Sequence, residues 1–516
     1  MRTKKAGINA IVGVITYLMS FLPSLIVRKI FLNSLGEELL GLSSLYTNII
    51  GVLSIVELGI GNAIIFSLYK PFAENDRVKI KGYLNYYSRF YKIVGIIILL
   101  LGFSILPLLN VLIKDTVNMS EARIYFILYL VNTFISYLFS YKICILNVAQ
   151  ENYIVSIAAT ISKLIIAVLQ FITLKIYPNF YLYILIQIFI NIIYYCTINL
   201  YIDKKFSWIK NVQGMITKNE EKALMKNIRA LFMHKIGGTF VFGIDNIVVS
   251  RFLNLNIVGK FATYNMLVGA FQGVIGSAIT AITSSIGNLI AEGNTDNTYS
   301  IHKKLFFANF WCVSFVIISL YNVLDQFIGL FFGVNQVLDK FTLALILANS
   351  YFFLMRSSVE RFKEASGIYS QDKYSPLVEA LINLVTSIIL VNLIGLSGVV
   401  LGTLISNLAI VFWLKPKIVY KDVFKKPLIV YFKMYFKYLI IGLIPLLITS
   451  VLTANIKDVI NLNSFIFNCC INTIIINMFY YLVFRKTEEL KYFKNIIKSM
   501  LVNKGIIKLQ KVKTSD

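Results

Sequence analysis

Fourteen apolar segments follow one another along the chain, each long enough to cross the roughly 30 Å hydrocarbon core of a bilayer. A backbone that crosses lipid must satisfy its own hydrogen bonds, so such segments predict transmembrane helices. The connections are too short to form a domain outside the membrane. We therefore predict an all-α polytopic membrane protein with about fourteen transmembrane helices. The segments are residues 9–33, 39–69, 88–112, 122–147, 153–175, 180–202, 228–253, 256–291, 304–331, 338–366, 374–394, 397–415, 434–453 and 463–484.

The composition supports this class. Hydrophobic residues make up 58% of the chain and charged residues 15%, and the mean hydropathy is +0.74, a balance that soluble globular proteins do not show. The net charge is +25, but the basic residues lie between apolar segments. They therefore indicate contact with anionic membrane lipids and not with nucleic acid. The five cysteines lie inside apolar segments and predict neither disulfides nor a metal site.

The basic residues also predict the orientation in the membrane. If the N-terminus is cytoplasmic, the segments on the cytoplasmic side carry 37 of the 50 lysines and arginines, and the opposite turns carry 7. Because cytoplasmic loops of membrane proteins are enriched in basic residues, this bias predicts a multi-pass protein of the cytoplasmic membrane with both termini inside.

The first helical hairpin has a counterpart about 220 residues later. In the first copy an arm ends in Arg28-Lys-Ile-Phe-Leu-Asn33, and Gly41 and Ile60-Gly-Asn62 follow. The second copy has Arg251-Phe-Leu-Asn254, then Gly259 and Ile286-Gly-Asn288. Each copy opens a block of six segments, which predicts two six-helix lobes related by a pseudo-two-fold axis. The predicted divisions are an N-lobe at 1–203, a cytoplasmic linker at 204–227, a C-lobe at 228–418, two further helices at 419–485 and a basic amphipathic tail at 486–516.

Polar residues repeat along two segments at the spacing of one helix face. In the first segment the series ends in a cation, and Pro23 interrupts the helical hydrogen bonds, which predicts a kink. In the segment 256–291 most residues of the series have small side chains, so the series fits either close helix packing or the lining of a cavity. The first series is Asn9, Gly13, Tyr17, Ser20, Ser24 and Arg28, and the second is Asn265, Gly269, Gln272, Gly276, Thr280, Ser284 and Gly287.

Several ionisable residues lie inside the apolar segments, where a charge is costly and usually faces a partner or a cavity. For Glu57, Lys163 and Asp245, both an internal salt bridge and a cavity-lining role remain open. Lys235 precedes Asp245 in the same segment. Arg28 and Arg356 are nearer helix ends, so their side chains could instead extend to the headgroups.

The sequence has no phosphate-binding glycine loop, no dinucleotide fingerprint and no cluster with metal-ligand spacing. We therefore expect neither a metal nor a cofactor. A membrane polymerase or glycosyltransferase usually carries carboxylates on a large outer loop, and the longest outside turns are about ten residues. The features favour a transporter over an enzyme, working by alternating access on a cargo with an anionic group.

Two stretches resemble the Wzx-type polysaccharide flippases of the multidrug/oligosaccharidyl-lipid/polysaccharide exporter superfamily. The resemblance implies two six-helix lobes with two appended helices. It also implies a cargo, an oligosaccharide repeat unit on a polyprenyl pyrophosphate, which is moved to the outer leaflet for capsule, exopolysaccharide or O-antigen assembly with other polysaccharide assembly proteins. The first stretch has Leu35-Gly36, Gly41-Leu42, Glu57-Leu-Gly-Ile-Gly-Asn62 and Tyr69-Lys-Pro71, and the second has Ala365-Ser-Gly367, Asp372-Lys-Tyr374, Pro376, Glu379, Asn383, Ser387, Gly395, Gly398, Gly402-Thr403 and Ser406.

This resemblance gives the candidate residues their roles. Cations at membrane depth are effective partners for a pyrophosphate, because the low dielectric strengthens the attraction. Alternatives are an ion-coupled multidrug antiporter or a lipid II flippase of the same superfamily and, more remotely, a polysaccharide polymerase. The candidates for pyrophosphate or sugar binding are Arg28, Lys163, Lys235, Arg356, Ser24 and Gln272, and those for ion coupling are Glu57 and Asp245.

Overall fold

The computed structural model describes residues 2–57, 60–114, 117–368, 371–457 and 459–503, and in these residues the regular secondary structure is entirely helical. The predicted all-α class is confirmed. The α-helices are α1 (Arg2–Leu53), α2 (Ile60–Ala73), α3 (Arg77–Ile105), α4 (Leu109–Leu112), α5 (Met119–Phe139), α6 (Cys144–Val148), α7 (Asn152–Ile176), α8 (Phe180–Lys205), α9 (Trp208–Asn211), α10 (Lys218–Phe252), α11 (Leu255–Ala281), α12 (Thr283–Ala291), α13 (Thr295–Phe332), α14 (Lys340–Ala365), α15 (Ser375–Ile394), α16 (Leu396–Ala409), α17 (Val411–Asp422), α18 (Leu428–Leu452), α19 (Ala454–Lys457), α20 (Leu462–Phe484) and α21 (Glu488–Asn503). Short 3₁₀ helices are formed by Ser54–Glu57, Ser140–Ile143 and Val334–Gln336.

Twelve helical stretches in the described ranges are long and apolar enough to cross a membrane. One of them, Ile15–Leu53, joins residues 15–33 of the first predicted segment to residues 39–53 of the second, because α1 runs on through a bend at Gly36, where φ is +87°, a conformation that glycine tolerates. The predicted seventh segment lies on α10, which is not among the twelve. All fourteen predicted segments therefore fall on helices.

Helix starts follow from local sequence. Asparagine or aspartate side chains accept hydrogen bonds from the free N–H groups of the first turn, and these bonds stabilise the helix N-terminus. At α10 the cap is reciprocal, because Thr217 accepts from the amide of Glu220 while the Glu220 carboxylate accepts from Thr217. Single caps of this kind are Asp76, Asn118, Asn179, Asn294, Asp339 and Asn461.

The chain packs as two compact units. Unit 1 contains residues 1–270 and 372–411, and unit 2 contains 271–371 and 412–516. Helices α10, α15 and α16 thus belong to the same packing unit as α1 to α8. The packing units do not follow the boundaries of the two lobes, which stay a prediction from the repeat.

In unit 1, the two copies of the repeated hairpin meet at their corresponding glycines. A Cβ atom on Gly41 would lie 1.9 Å from the carbonyl oxygen of Leu255, and one on Gly259 would lie 3.3 Å from the amide nitrogen of Gly41. A salt bridge of 3.8 Å between Lys260 Nζ and Glu37 Oε2 closes the same contact. We call this contact, formed by Glu37, Gly41, Leu255, Gly259 and Lys260, the hairpin junction.

The predicted linker is packed against α3. A Cβ atom on Gly214 would lie 2.3 Å from the amide nitrogen of Gly82, so the two backbones are in direct contact. Lys79 Nζ lies 3.0 Å from Glu220 Oε1. The amide of Thr217 and the ammonium of Lys79 together hold the pKa of Glu220 below its usual range. The linker is therefore a docked segment and not a free tether.

In unit 2, a fully buried network of amide side chains joins α18 and α20 to α13. Asn322 Nδ2 donates to Thr449 Oγ1 at 2.9 Å and to Asn472 Oδ1 at 2.7 Å. Asn468 Nδ2 donates to Gln326 Oε1 at 3.1 Å. All five side chains are buried. Polar groups at membrane depth need protein partners, so this network fixes the last two spanning helices.

The predicted amphipathic tail is helical as far as it is described. Its aromatic residues pack on α13, since Phe493 stacks on Phe307 and Lys304 lies 4.3 Å from the ring centroid of Tyr492. Residues 504–516 lie outside the described residues. Binding of α21 to the inner leaflet stays a prediction.

Candidate functional site

The polar series of α1 faces away from the apolar exposed side of this helix. Leu18, Leu22 and Ile26 are exposed and recur every four residues, as a bilayer-facing stripe does. Ser24 is two residues from both Leu22 and Ile26, which places it about 200° around the helix. Ser24 is exposed, and its hydroxyl donates only to the Phe21 carbonyl of its own helix. The series is therefore open at Ser24, whereas Asn9, Tyr17 and Arg28 hydrogen-bond residues of other helices.

Lys163 on α7 also lies opposite the exposed apolar stripe of its own helix. Ile161, Ile165 and Ile172 form an exposed apolar stripe, and Lys163 lies about 200° from Ile161. Its side chain is exposed and makes no salt bridge with the described residues. Gln170, which lies seven residues on and on the same face, is buried. Lys163 is thus a mid-helix cation on the side opposite the bilayer-facing stripe, and it does not form the internal salt bridge considered for it with any residue whose side chain is described.

Arg28 ties α1 to α11 inside unit 1. Its Nε donates to Thr263 Oγ1 at 2.9 Å, and one terminal nitrogen donates to the Gly259 carbonyl oxygen at 3.1 Å. No described carboxylate pairs with it. The guanidinium is half-buried beside the hairpin junction and keeps its full positive charge.

Glu57 accepts hydrogen bonds from two tyrosine hydroxyls. Tyr137 donates to Oε2 at 2.7 Å, and Tyr91 donates to Oε1. Glu57 forms no salt bridge with a described cation. Tyr87 packs edge-on against Tyr91, which extends this group of hydroxyls. The carboxylate is therefore held by neutral donors, an arrangement that the sequence analysis did not foresee.

Asp245 lies in an oxygen-rich site between α10, α15 and α16 of unit 1. One carboxylate oxygen accepts from Thr403 Oγ1 at 3.1 Å and the other from Asn383 Nδ2 at 3.3 Å. The amide oxygen of Asn383 accepts from Ser387 at 2.8 Å. No described cation pairs with Asp245. Carboxylate, amide and hydroxyl oxygens are the ligands that hard cations prefer, so these residues suit a small monovalent cation or a proton.

Three glycines of the small-residue series on α11 and α12 have open space beside them. A Cβ atom on Gly269, Gly276 or Gly287 would meet nothing within 4 Å, so no helix packs closely there. Gln272 donates to Ser350 Oγ at 2.9 Å within unit 2. Of the two interpretations of the series, close packing is excluded at these glycines, and an open polar surface remains.

Arg356 lies in an ionic cluster of unit 2. Its Nε contacts Glu360 Oε1 at 2.9 Å, and Lys415 Nζ contacts the same oxygen. One turn further, Arg361 pairs with Glu364 at 2.7 Å. Arg356 is only 7% exposed, so it does not extend to the headgroups. The pair Arg356 and Glu360 has the four-residue spacing of a helical ion pair, which could have been noticed in the sequence.

Of the remaining candidates, Lys235 lies on α10, but its side chain is outside the described residues. The described candidates fall in two groups. Arg28, Ser24, Glu57, Lys163 and Asp245 lie in unit 1, and Gln272 and Arg356 lie in unit 2. In the described part of the chain, no three histidine, cysteine or carboxylate side chains form a metal cluster.

These helices define a polytopic membrane protein in which exposed polar residues lie opposite the apolar stripes of α1 and α7. Solved structures with this fold include the lipid II flippase MurJ in its inward closed conformation, at 15% identity and TM-score 0.66, with 92% of this chain and 98% of that one covered. An inward-facing multidrug resistance transporter of the MATE family and MOP superfamily has 14% identity and TM-score 0.57, and the match covers 78% of this chain and 95% of that one. A mutant of the Vibrio cholerae MATE transporter VcmN has 14% identity and TM-score 0.56, and the match covers 83% of this chain and 99% of that one.

These identities are low, so the structures show a shared transporter fold. The model of the polysaccharide biosynthesis protein family matches residues 3–283, more than half of the chain, and the chain belongs to this family. The resemblance found in the sequence is confirmed at this level. No curated protein sequence matches the chain.

Proposed function

We propose that the protein is a flippase that carries oligosaccharide repeat units on a polyprenyl pyrophosphate from the inner to the outer leaflet of the cytoplasmic membrane. Lys163 is the observation that carries the proposal. It is an exposed cation in the middle of α7, on the side away from the bilayer, and no described carboxylate pairs with it. A charge in this position is expensive to keep unless it meets an anion during function. Membership of the polysaccharide biosynthesis family supports this cargo.

The cargo brings two different chemistries to the protein. Its pyrophosphate pairs with Lys163 and with Arg28, whose guanidinium retains a terminal nitrogen with no hydrogen bond to a described residue. Its sugars present hydroxyl groups, which the open polar surfaces of α1 and α11 can hydrogen-bond through Ser24 and Gln272. The polyprenyl chain stays in lipid, so only the polar head crosses on these surfaces.

The proposed transport proceeds by alternating access, with both termini in the cytoplasm. Asp245 is the candidate for coupling to Na⁺ or H⁺, because its site is made of oxygens and holds no described cation. Glu57 is a second candidate, but its two tyrosine donors already stabilise the carboxylate. Arg356 and Gln272 are engaged within unit 2, so their contact with cargo requires these partners to be exchanged.

Replacing Lys163 by Gln tests the cargo role. Because Lys163 has no carboxylate partner to strand, we expect normal abundance in the membrane and surface polysaccharide reduced about tenfold, as one lost charge-assisted hydrogen bond predicts. The matched control is Lys175→Gln, an exposed lysine in the last turn of the same helix, which should leave both unchanged. Normal export by Lys163→Gln would remove this residue from the mechanism.

Replacing Asp245 by Ala tests ion coupling in the purified protein. If Asp245 binds Na⁺, NaCl should raise the thermal unfolding temperature more than KCl at equal ionic strength, and Asp245→Ala should abolish the difference. If it binds a proton, the unfolding temperature should depend less on pH in the variant than in the unchanged chain. If the variant responds to Na⁺ and to pH as the unchanged chain does, Asp245 is not the coupling site.

The rival functions have separate tests. Lipid II flippase activity would be shown by rescue of cells that lack their own lipid II flippase. Neighbouring glycosyltransferase genes would favour the repeat-unit cargo. A multidrug antiporter fits less well, because open cations such as Lys163 repel cationic drugs.

A further inference from the structure

A cavity of about 300 Å³ lies between α11–α12 and α13–α14 in unit 2. Isoleucine, valine, leucine and alanine side chains form most of its wall. The cavity borders the polar series of α11, because Arg361 in its wall donates to Thr280 of that series at 3.5 Å. Val274 and Ala278 of the same helix also line it. Its remaining lining residues are Asn309, Cys312, Ser358 and Arg361.

One side of the cavity is electropositive. Arg361 pairs with Glu364 through one terminal nitrogen, while its Nε is buried without an acceptor. Glu360 forms its salt bridges with Arg356 and Lys415, so Glu364 is the one described carboxylate in a salt bridge with Arg361. The cluster therefore has more basic side chains than carboxylates. The basic ones are Arg356, Arg361 and Lys415, and the carboxylates are Glu360 and Glu364.

A second wall residue has an unused polar atom. Asn309 is 94% buried, since only 6% of it is exposed. Its Nδ2 donates to the Leu354 carbonyl oxygen at 2.9 Å, which leaves Oδ1 as the acceptor, and no described group donates to it. A buried amide oxygen without a donor costs free energy, so a ligand that brings a hydroxyl group is favoured there.

We propose that this cavity binds an anionic glycerophospholipid of the phosphatidylglycerol type, with one acyl chain among the aliphatic residues and the phosphate at Arg361. The cavity lies on the face of α11 that carries the exposed Phe271 and Val274, so the bilayer supplies its occupant. Excess positive charge selects an anionic headgroup. The glycerol headgroup and its bound water provide the donor for Asn309. This site does not depend on the proposed flippase activity.

Cys312 reports on occupancy, because it is exposed and lines the cavity. The reporter protein carries serine at Cys196, Cys469 and Cys470, and the buried Cys144 stays. In delipidated protein in detergent, dioleoyl-phosphatidylglycerol should slow the reaction of Cys312 with N-ethylmaleimide about tenfold. Dioleoyl-phosphatidylcholine should not. The control protein has serine at Cys312 and keeps the exposed Cys196, which should react at the same rate with either lipid.

Two further variants separate charge recognition from damage to the fold. Arg361→Gln should remove the protection by phosphatidylglycerol, and Arg361→Lys should keep most of it, while both elute as the unchanged protein does in size-exclusion chromatography. Equal protection by the two phospholipids, or none by either, would overturn the proposal. Protection by polyprenyl phosphate alone would also overturn it and assign the cavity to the carrier lipid.

Discussion

Replacing Glu360 by Gln should lower the free energy of unfolding by about 3 kcal/mol, because it removes the carboxylate between Arg356 and Lys415. Both cations are largely enclosed, with side chains 8% and 17% exposed, so water cannot compensate for the lost charge. The two positive charges then repel each other across a region of low dielectric. Thermal unfolding of the detergent-purified protein measures the effect.

The matched control is Glu364→Gln, one turn further along α14. Glu364 pairs with Arg361 at a similar distance, but its side chain is 37% exposed. Solvent-exposed pairs contribute about 1 kcal/mol at most. An equal loss of stability in the two variants would mean that the enclosed position of Glu360 is not the cause.

Replacing Gly41 by Ala should open the hairpin junction and cost about 3 kcal/mol, at the upper end of the range for overpacked sites. The new Cβ atom would lie 1.9 Å from the Leu255 carbonyl oxygen, and a backbone atom cannot rotate away as a side chain can. The start of α11 must therefore move by more than an ångström, which weakens the Lys260–Glu37 salt bridge. The loss is measured by thermal unfolding.

Gly269→Ala is the control for this substitution. Gly269 is also helical, but a Cβ atom there meets nothing within 4 Å. Alanine favours the helix over glycine by up to about 1 kcal/mol, so this variant should be unchanged or slightly more stable. If Gly41→Ala were equally harmless, the close contact at the junction would be disproved.

The helices could be predicted from the sequence because lipid permits so few backbone conformations. Segment length and apolarity located α7 and α8 within a few residues. The face of the α1 series was also predictable, since the helical repeat alone determines which residues share a side. Both predictions depend on neighbours along the chain.

Contacts between distant residues were not predictable in this way. Glu57 receives its hydrogen bonds from tyrosines 34 and 80 residues further on. Lys415 is the last residue of the predicted segment 397–415, and its partner Glu360 lies 55 residues earlier. Hydropathy and spacing give the position of each group in its own helix, but the partner depends on how helices pack. The same limit explains why the sequence did not predict that α10, α15 and α16 pack in unit 1.

The amide network between α13, α18 and α20 has a consequence for biogenesis. Asn322 and its acceptor on Asn472 are 150 residues apart, so α13 leaves the ribosome long before its partner exists. During that interval the amide groups of Asn322 and Gln326 have none of the partners that α20 supplies. The last spanning helix therefore completes the burial of a helix that was synthesised five spans earlier, and maturation of unit 2 ends only when translation has passed residue 472.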